Sequence, residues 1–100
     1  MFKNKRFVTA GVNLTVDFLL QIYLWNLVDK FDAEIKKDYL QVFDLSIVEK
    51  NRKKIQKIVH TQEVPEYRRE YIVELYNPIE AKIFIIDDGD HSTMLLTEEY

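Results

Sequence analysis

Cysteine is absent from the 100 residues, which excludes disulfides, a thiolate nucleophile and thiolate zinc sites. Glycine and proline number only two each, so the chain holds no low-complexity stretch or linker, and its turns should be few and defined. No apolar run suits a bilayer: the richest segment, Val16 to Phe31, is broken by Asp17, Gln21, Asn26 and Asp29. The basic start, Met1 to Arg6, leads into Asn13, Thr15 and Asp17 rather than into the apolar core of a cleavable signal. A cytoplasmic protein without a membrane partner is expected.

What is present is a balance typical of globular chains, with 47% apolar and 31% charged residues. One hydrophobic core and a single domain spanning 1–100 follow from that length. The net charge of −3 conceals a segregation: residues 49–57 carry five cations against one anion, and residues 80–100 carry six anions against one cation. The molecule should therefore have a basic segment and an acidic end.

Periodicity predicts the elements. Lys5 to Val12 reads as a short first strand ended by Gly11. Apolar residues at 16, 20, 23, 24, 27, 28 and 31 recur at helical spacing, with Thr15 and Asp17 as cap and first turn. Phe18, Leu19, Ile22 and Trp25 widen that stripe beyond what one sheet face needs, so either the sheet curls around the helix or part of the stripe is an interface. Asp32 to Asp38 reads as a charged loop with Ile35 as its last anchor. Tyr39–Leu45 is a second strand, Ile55–Glu63 a third, and Tyr67–Tyr76 a fourth, alternating so that Tyr67, Arg69, Tyr71, Val73 and Leu75 share one side. Ser46 to Lys57 reads as a long basic loop, the alternative being a short helix with a capping box at Ser46 and Glu49. Ile83–Ile86 and Met94–Leu96 flank an Asp88-Gly89 turn and supply strands five and six. The expected fold is α+β, ordered β-α-β-β-β-β-β, with one long helix on a twisted, mostly antiparallel sheet of five to six strands, the chain after the helix forming a meander.

Four segments carry a resemblance: Tyr39-Leu40-Gln41-Val42-Phe43, His60 to Tyr67, Ala81-Lys82-Ile83-Phe84, and above all Ile86-Asp87-Asp88-Gly89-Asp90-His91-Ser92-Thr93-Met94-Leu95-Leu96. Through them the chain resembles, over nearly its full length, the small Firmicutes proteins grouped as the domain of unknown function 960 family. The resemblance implies a cytosolic protein of Gram-positive bacteria and brings no activity to any residue.

The densest set of potential ligands is Asp87, Asp88, Asp90 and His91, whose oxygen and imidazole donors would suit Mg²⁺, Mn²⁺ or Ca²⁺. Neighbours in a tight hairpin point apart, the spacing is not that of an EF-hand, and acidic turn residues have conformational uses. The turn reading is preferred, and no metal or other cofactor is expected. His60, in a strand with Glu63 nearby, lacks any nucleophile motif and reads as a bonded strand histidine. Whether it meets His91 is open. The cations at Lys50 to Lys57, with Tyr67, Tyr71 and Tyr76 as stacking faces, read as a solvated loop rather than a nucleic-acid site. Trp25 is either core or a contact to a homodimer or protein partner. The function these residues support is a non-enzymatic protein-binding or regulatory module. The alternatives are a metal-dependent hydrolase or nuclease at the acidic tip, and a nucleic-acid-binding protein using the basic segment.

Overall fold

Period-two alternation of buried and solvated side chains builds the larger part of the molecule. In the computed structural model, which describes residues 1–30, 35–75 and 77–100, six strands form one sheet: β1 Lys5–Val8, β2 Leu40–Lys50, β3 Lys53–Gln62, β4 Tyr67–Val73, β5 Ala81–Asp87 and β6 His91–Leu96. Two helices, α1 Ala10–Thr15 and α2 Phe18–Asp29, lie between β1 and β2, and a 3-10 turn, Thr97–Glu99, follows β6. The fold is α+β. The strands are ordered β1-β6-β5-β2-β3-β4, antiparallel throughout except for the parallel pair β1 and β6.

Register puts Phe43, Ile83 and Leu96 in one row across the sheet, and Ile85 with Met94 in the next. These side chains are buried and meet Val12, Val16, Leu20, Leu24, Leu27 and Val28 from the helices. The opposite face is different. There Phe7, Thr93, Ile86 and Leu40 form one row, and Leu95, Phe84, Val42 and Thr61 the next, all of them at least partly exposed.

The single long helix gives way to two. Val16 leaves helical geometry at φ −112° and ψ 121°, and the buried Gln21 donates from Nε2 to the Val16 carbonyl at 2.9 Å, which satisfies the carbonyl freed by the break. The first cap is Thr9, whose hydroxyl accepts from Val12 N at 3.2 Å, not Thr15. Asp17 does occupy the N-cap position of α2 but makes no side-chain capping bond. Gly11 does not end the first strand; it lies in α1, where an added Cβ would come within 2.5 Å of the Glu99 carboxylate. That carboxylate accepts from the Thr9 hydroxyl at 2.6 Å and from Leu96 N at 2.9 Å, so the glycine admits a close approach between helix and 3-10 turn.

The meander holds only through β4. The chain then returns to the far side of β2, where β5 pairs with Leu40–Leu45. Buried Gln56 anchors the returning segment, accepting from Ile79 N at 2.8 Å and donating to Ile79 O at 3.0 Å. The predicted loop from Ser46 to Lys57 is neither loop nor helix. It is a hairpin ribbon, with Val48 opposite Ile55 and Glu49 opposite Lys54, closed by Asn51 and Arg52 at φ 52° and 65°. Positive φ at both central residues is the type I′ signature. Arg52 stands where glycine costs least, which hid the turn from the sequence. Phe31, the start of the charged loop at 32–34, and Tyr76 lie outside the described residues.

Replacing Arg52 by glycine relieves a left-handed backbone penalty of about 1 kcal/mol. Urea unfolding of Arg52→Gly should show a raised midpoint with an unchanged slope.

Candidate functional site

The acidic hairpin tip is occupied by its own chain. Asp87 is buried at the end of β5, and its carboxylate accepts from Phe2 N at 2.6 Å, Asn4 Nδ2 at 3.0 Å and Gly89 N at 2.8 Å. Ser92, its cross-strand partner, donates to Asn4 Oδ1 at 2.6 Å. Burial alone would disfavour the charged form, but the donated hydrogen bonds outweigh it and hold the Asp87 carboxyl below the usual carboxylate range. Asp88 Oδ1 accepts from the amides of Asp90 and His91 at 3.2 and 3.1 Å. Its other oxygen lies 3.0 Å from His91 Nε2. Asp90 is exposed. Gly89, at φ 103°, supplies the left-handed residue that the turn requires. Among the described residues, no three His, Asp or Glu side chains are grouped to hold a metal ion.

His60 is far from this tip. It pairs with Phe43 on β2, and Asp87 N bonds Tyr39 O at the start of that strand. Four residues along and two strands across put His60 and Asp87 roughly 16 Å apart, so His60 and His91 do not converge. His60 instead heads a buried amide chain. Gln41 Nε2 donates to Gln62 Oε1 at 2.8 Å and to Asp38 O at 2.9 Å, which leaves Gln41 Oε1 as acceptor for His60 Nε2–H at 2.6 Å. Gln62 Nε2 then donates to Lys36 O and Pro65 O, at 2.9 and 2.8 Å. Phe43 stacks on the imidazole at 4.3 Å, and Tyr67 meets it edge-on at 5.3 Å. Burial pushes its pKa down to about 4. A neutral, enclosed imidazole tying two loops together is structural chemistry. Glu63 and Glu66 lie exposed in the β3–β4 turn.

Trp25 is half-buried against the core, with the Arg6 guanidinium 4.6 Å from its ring centroid and Arg6 in turn paired to Asp29. The exposed part of the helical layer lies elsewhere. Leu14 is 89% exposed, Phe18 71%, Leu19 72% and Ile22 40%. The excess width of the apolar stripe pointed to three of these; Leu14 was hidden because residues 10–15 read as strand end and cap. The basic residues project at the β2–β3 turn, at the opposite end of β2 from Asp87.

Comparison with known proteins places the chain in a family without assigning an activity. A family model described as "Staphylococcal protein of unknown function (DUF960)" matches residues 5–99, and the chain belongs to that family. A solved structure, "Crystal structure of the protein of unknown function from Enterococcus faecalis", is similar at 25% identity and TM-score 0.70, covering 97% of this chain and 91% of that one. No curated protein matches the sequence.

Two stability effects follow. Asp87→Ala leaves the Phe2 amide without its buried acceptor and should cost about 3 kcal/mol in denaturant unfolding. Because the Asp87 pKa is lowered on folding, its contribution is full above the unfolded value and fades as pH falls through the lower folded one; this acid limb should flatten in the variant. His60 works in a separate window. The unfolded imidazole takes a proton near pH 6.5 and the folded one only near 4, so stability should fall by on the order of 3 kcal/mol as pH drops between those values. His60→Asn should remove that slope.

Proposed function

We propose that this family member is a cytoplasmic, non-enzymatic protein-binding module whose contact surface is the ridge formed by Leu14, Phe18, Leu19 and Ile22. The exposure of these four large apolar side chains carries the reading. Leaving them in water is unfavourable by about 25 cal/mol per Å², and clustered apolar surface on a small domain is a mark of association. The polar clusters that would speak for catalysis are engaged in turn and loop structure.

The setting of the ridge supports a protein partner over a lipid surface. Between Asn13 and Asn26 the only charged residue is Asp17, whereas helices that lie on membranes carry lysine and arginine beside their apolar face. It also supports a different protein over a second copy. At about 150 Å² per side chain, weighted by their exposure, the four offer roughly 400 Å², short of the roughly 800 Å² per partner of a stable interface. A groove that wraps the ridge covers its flanks as well, as in recognition of a helix through anchors one turn apart.

Site-specific photo-crosslinking from Leu19 in the native host tests this, with Glu66 as the control position. A discrete adduct with another protein is expected from Leu19, lost in Phe18→Ser. Either no adduct above the control, or an adduct of twice the chain's own mass, would overturn the reading. Circular dichroism of Phe18→Ser should be unchanged, since an exposed residue contributes little to the core.

A further inference from the structure

We infer that the β2–β3 ribbon is a second contact surface, fitted to the sugar-phosphate backbone and major groove of duplex DNA. The ribbon overhangs the sheet. β2 leaves β5 after Leu45, and β3 meets β4 only from Gln56 onward, so Lys53 to Ile55 and their partners on β2 have no third strand beside them, although Ile55 itself is buried with Glu74 and Leu75 close by. Three residues per strand plus the turn reach about 10 Å beyond the sheet. That exceeds the depth of about 8.5 Å of a B-form major groove, which is wide enough for a two-stranded ribbon.

Its charge is concentrated and uncommitted. Lys50, Arg52, Lys53 and Lys54 are exposed, and among the described residues none of the four takes part in an ion pair of the structure. Some cations elsewhere are engaged, Arg6 with Asp29, Lys57 and Arg68 with Glu70, Lys82 with Asp44, while Lys3, Lys5, Lys30 and Lys36 are exposed singly rather than gathered at one turn. Two local rules are broken to keep the charge at the tip. Lys50 stands directly opposite Lys53, and like charges across a strand pair are destabilising. Arg52 holds φ 65° in a turn that glycine would close with less strain. Local costs without a structural return are characteristic of functional positions. Beside the tip, Lys50, Asn51, Lys53, Ile55, Ile72 and Glu74 line an open hollow of about 520 Å³. Glu74 is the anion there and sets the limit of the basic surface.

The overall charge of −3 does not oppose this. Asp87, Asp88 and Asp90 lie at the other end of β2, roughly 35 Å from the turn, well beyond the Debye length of about 8 Å at physiological salt. The resulting dipole orients the ribbon toward a polyanion and the acidic tip away from it.

Fluorescence anisotropy with a labelled 20-base-pair duplex tests the inference. Micromolar affinity is expected at about 50 mM salt, falling about 100-fold by about 200 mM if four phosphates are neutralised. Lys50→Ala with Lys53→Ala should weaken binding at least tenfold and lower the salt slope by about two. Arg52→Gly should bind more weakly although it is more stable, which separates contact from folding. Phe18→Ser should bind like the wild type, so failure here and failure of the ridge reading are distinguishable. No duplex binding at about 100 µM protein would overturn the inference. So would binding that survives the double lysine substitution, or equal affinity for heparin or single strands.

Discussion

The buried carboxylate of Asp87 is the constraint on which the arrangement of the chain rests. It closes the β5–β6 turn through Gly89 N and receives the amide of Phe2 and the side chain of Asn4. Those bonds draw residues 2–4 over the hairpin, seat Phe2 in the core at 1% exposure, and set β1 beside β6 in the parallel pair. The chain therefore enters the sheet at its edge and must cross one face before β2 can begin in the middle. That crossing is made by the two helices. A negative charge desolvated this far is tolerable only because three donors meet it.

Polar groups do comparable work elsewhere in the interior. Gln41, Gln56 and Gln62 are all buried, and each uses its amide to fasten a segment that has no ladder partner: the loop before β2, the crossing from β4 to β5, and the turn after β3. Buried amides are costly when unsatisfied, and here their donors and acceptors are placed with consistent direction. With loops anchored from within, the surface is left free of structural duties. Among the described residues, the apolar side chains on the helices and the basic ribbon are two of the exposed features without an internal use.

The sequence was most legible where one physical signal acted alone. Strict alternation in Tyr67–Val73 placed Tyr67, Arg69, Tyr71 and Val73 on a common face, and Asp88-Gly89 marked the last turn. The α+β class followed from those patterns together with one helical stripe. Legibility failed where signals competed. The stripe from Val16 to Phe31 masked the break at Val16, because a buried Gln21 satisfying a backbone carbonyl leaves no trace in hydropathy. Adjacent lysines masked the ribbon, because charge repulsion argued for a loop and the Ser46 and Glu49 spacing for a short helix, while the turn residue Arg52 carries no glycine signal. The return of β5 to β2 depends on Gln56, a long-range contact that no local pattern announces. At the candidate site, the types of Asp87, Asp88 and His91 suggested ligands, and only the hydrogen bonds from Phe2, Asn4, Gly89, Asp90 and His91 show how those carboxylates are used.

We propose that the acidic tip serves folding, and that contact surfaces lie on the ridge and the ribbon. A carbon-13 NMR titration of the Asp87 carboxyl, recorded with and without millimolar Mg²⁺, addresses it directly. The expected result is a titration below the ordinary carboxylate range, a Phe2 amide that moves in step with it, and indifference to the metal. An Asp87 that titrates at the ordinary value, shifts with Mg²⁺ and leaves the Phe2 amide unmoved would contradict it.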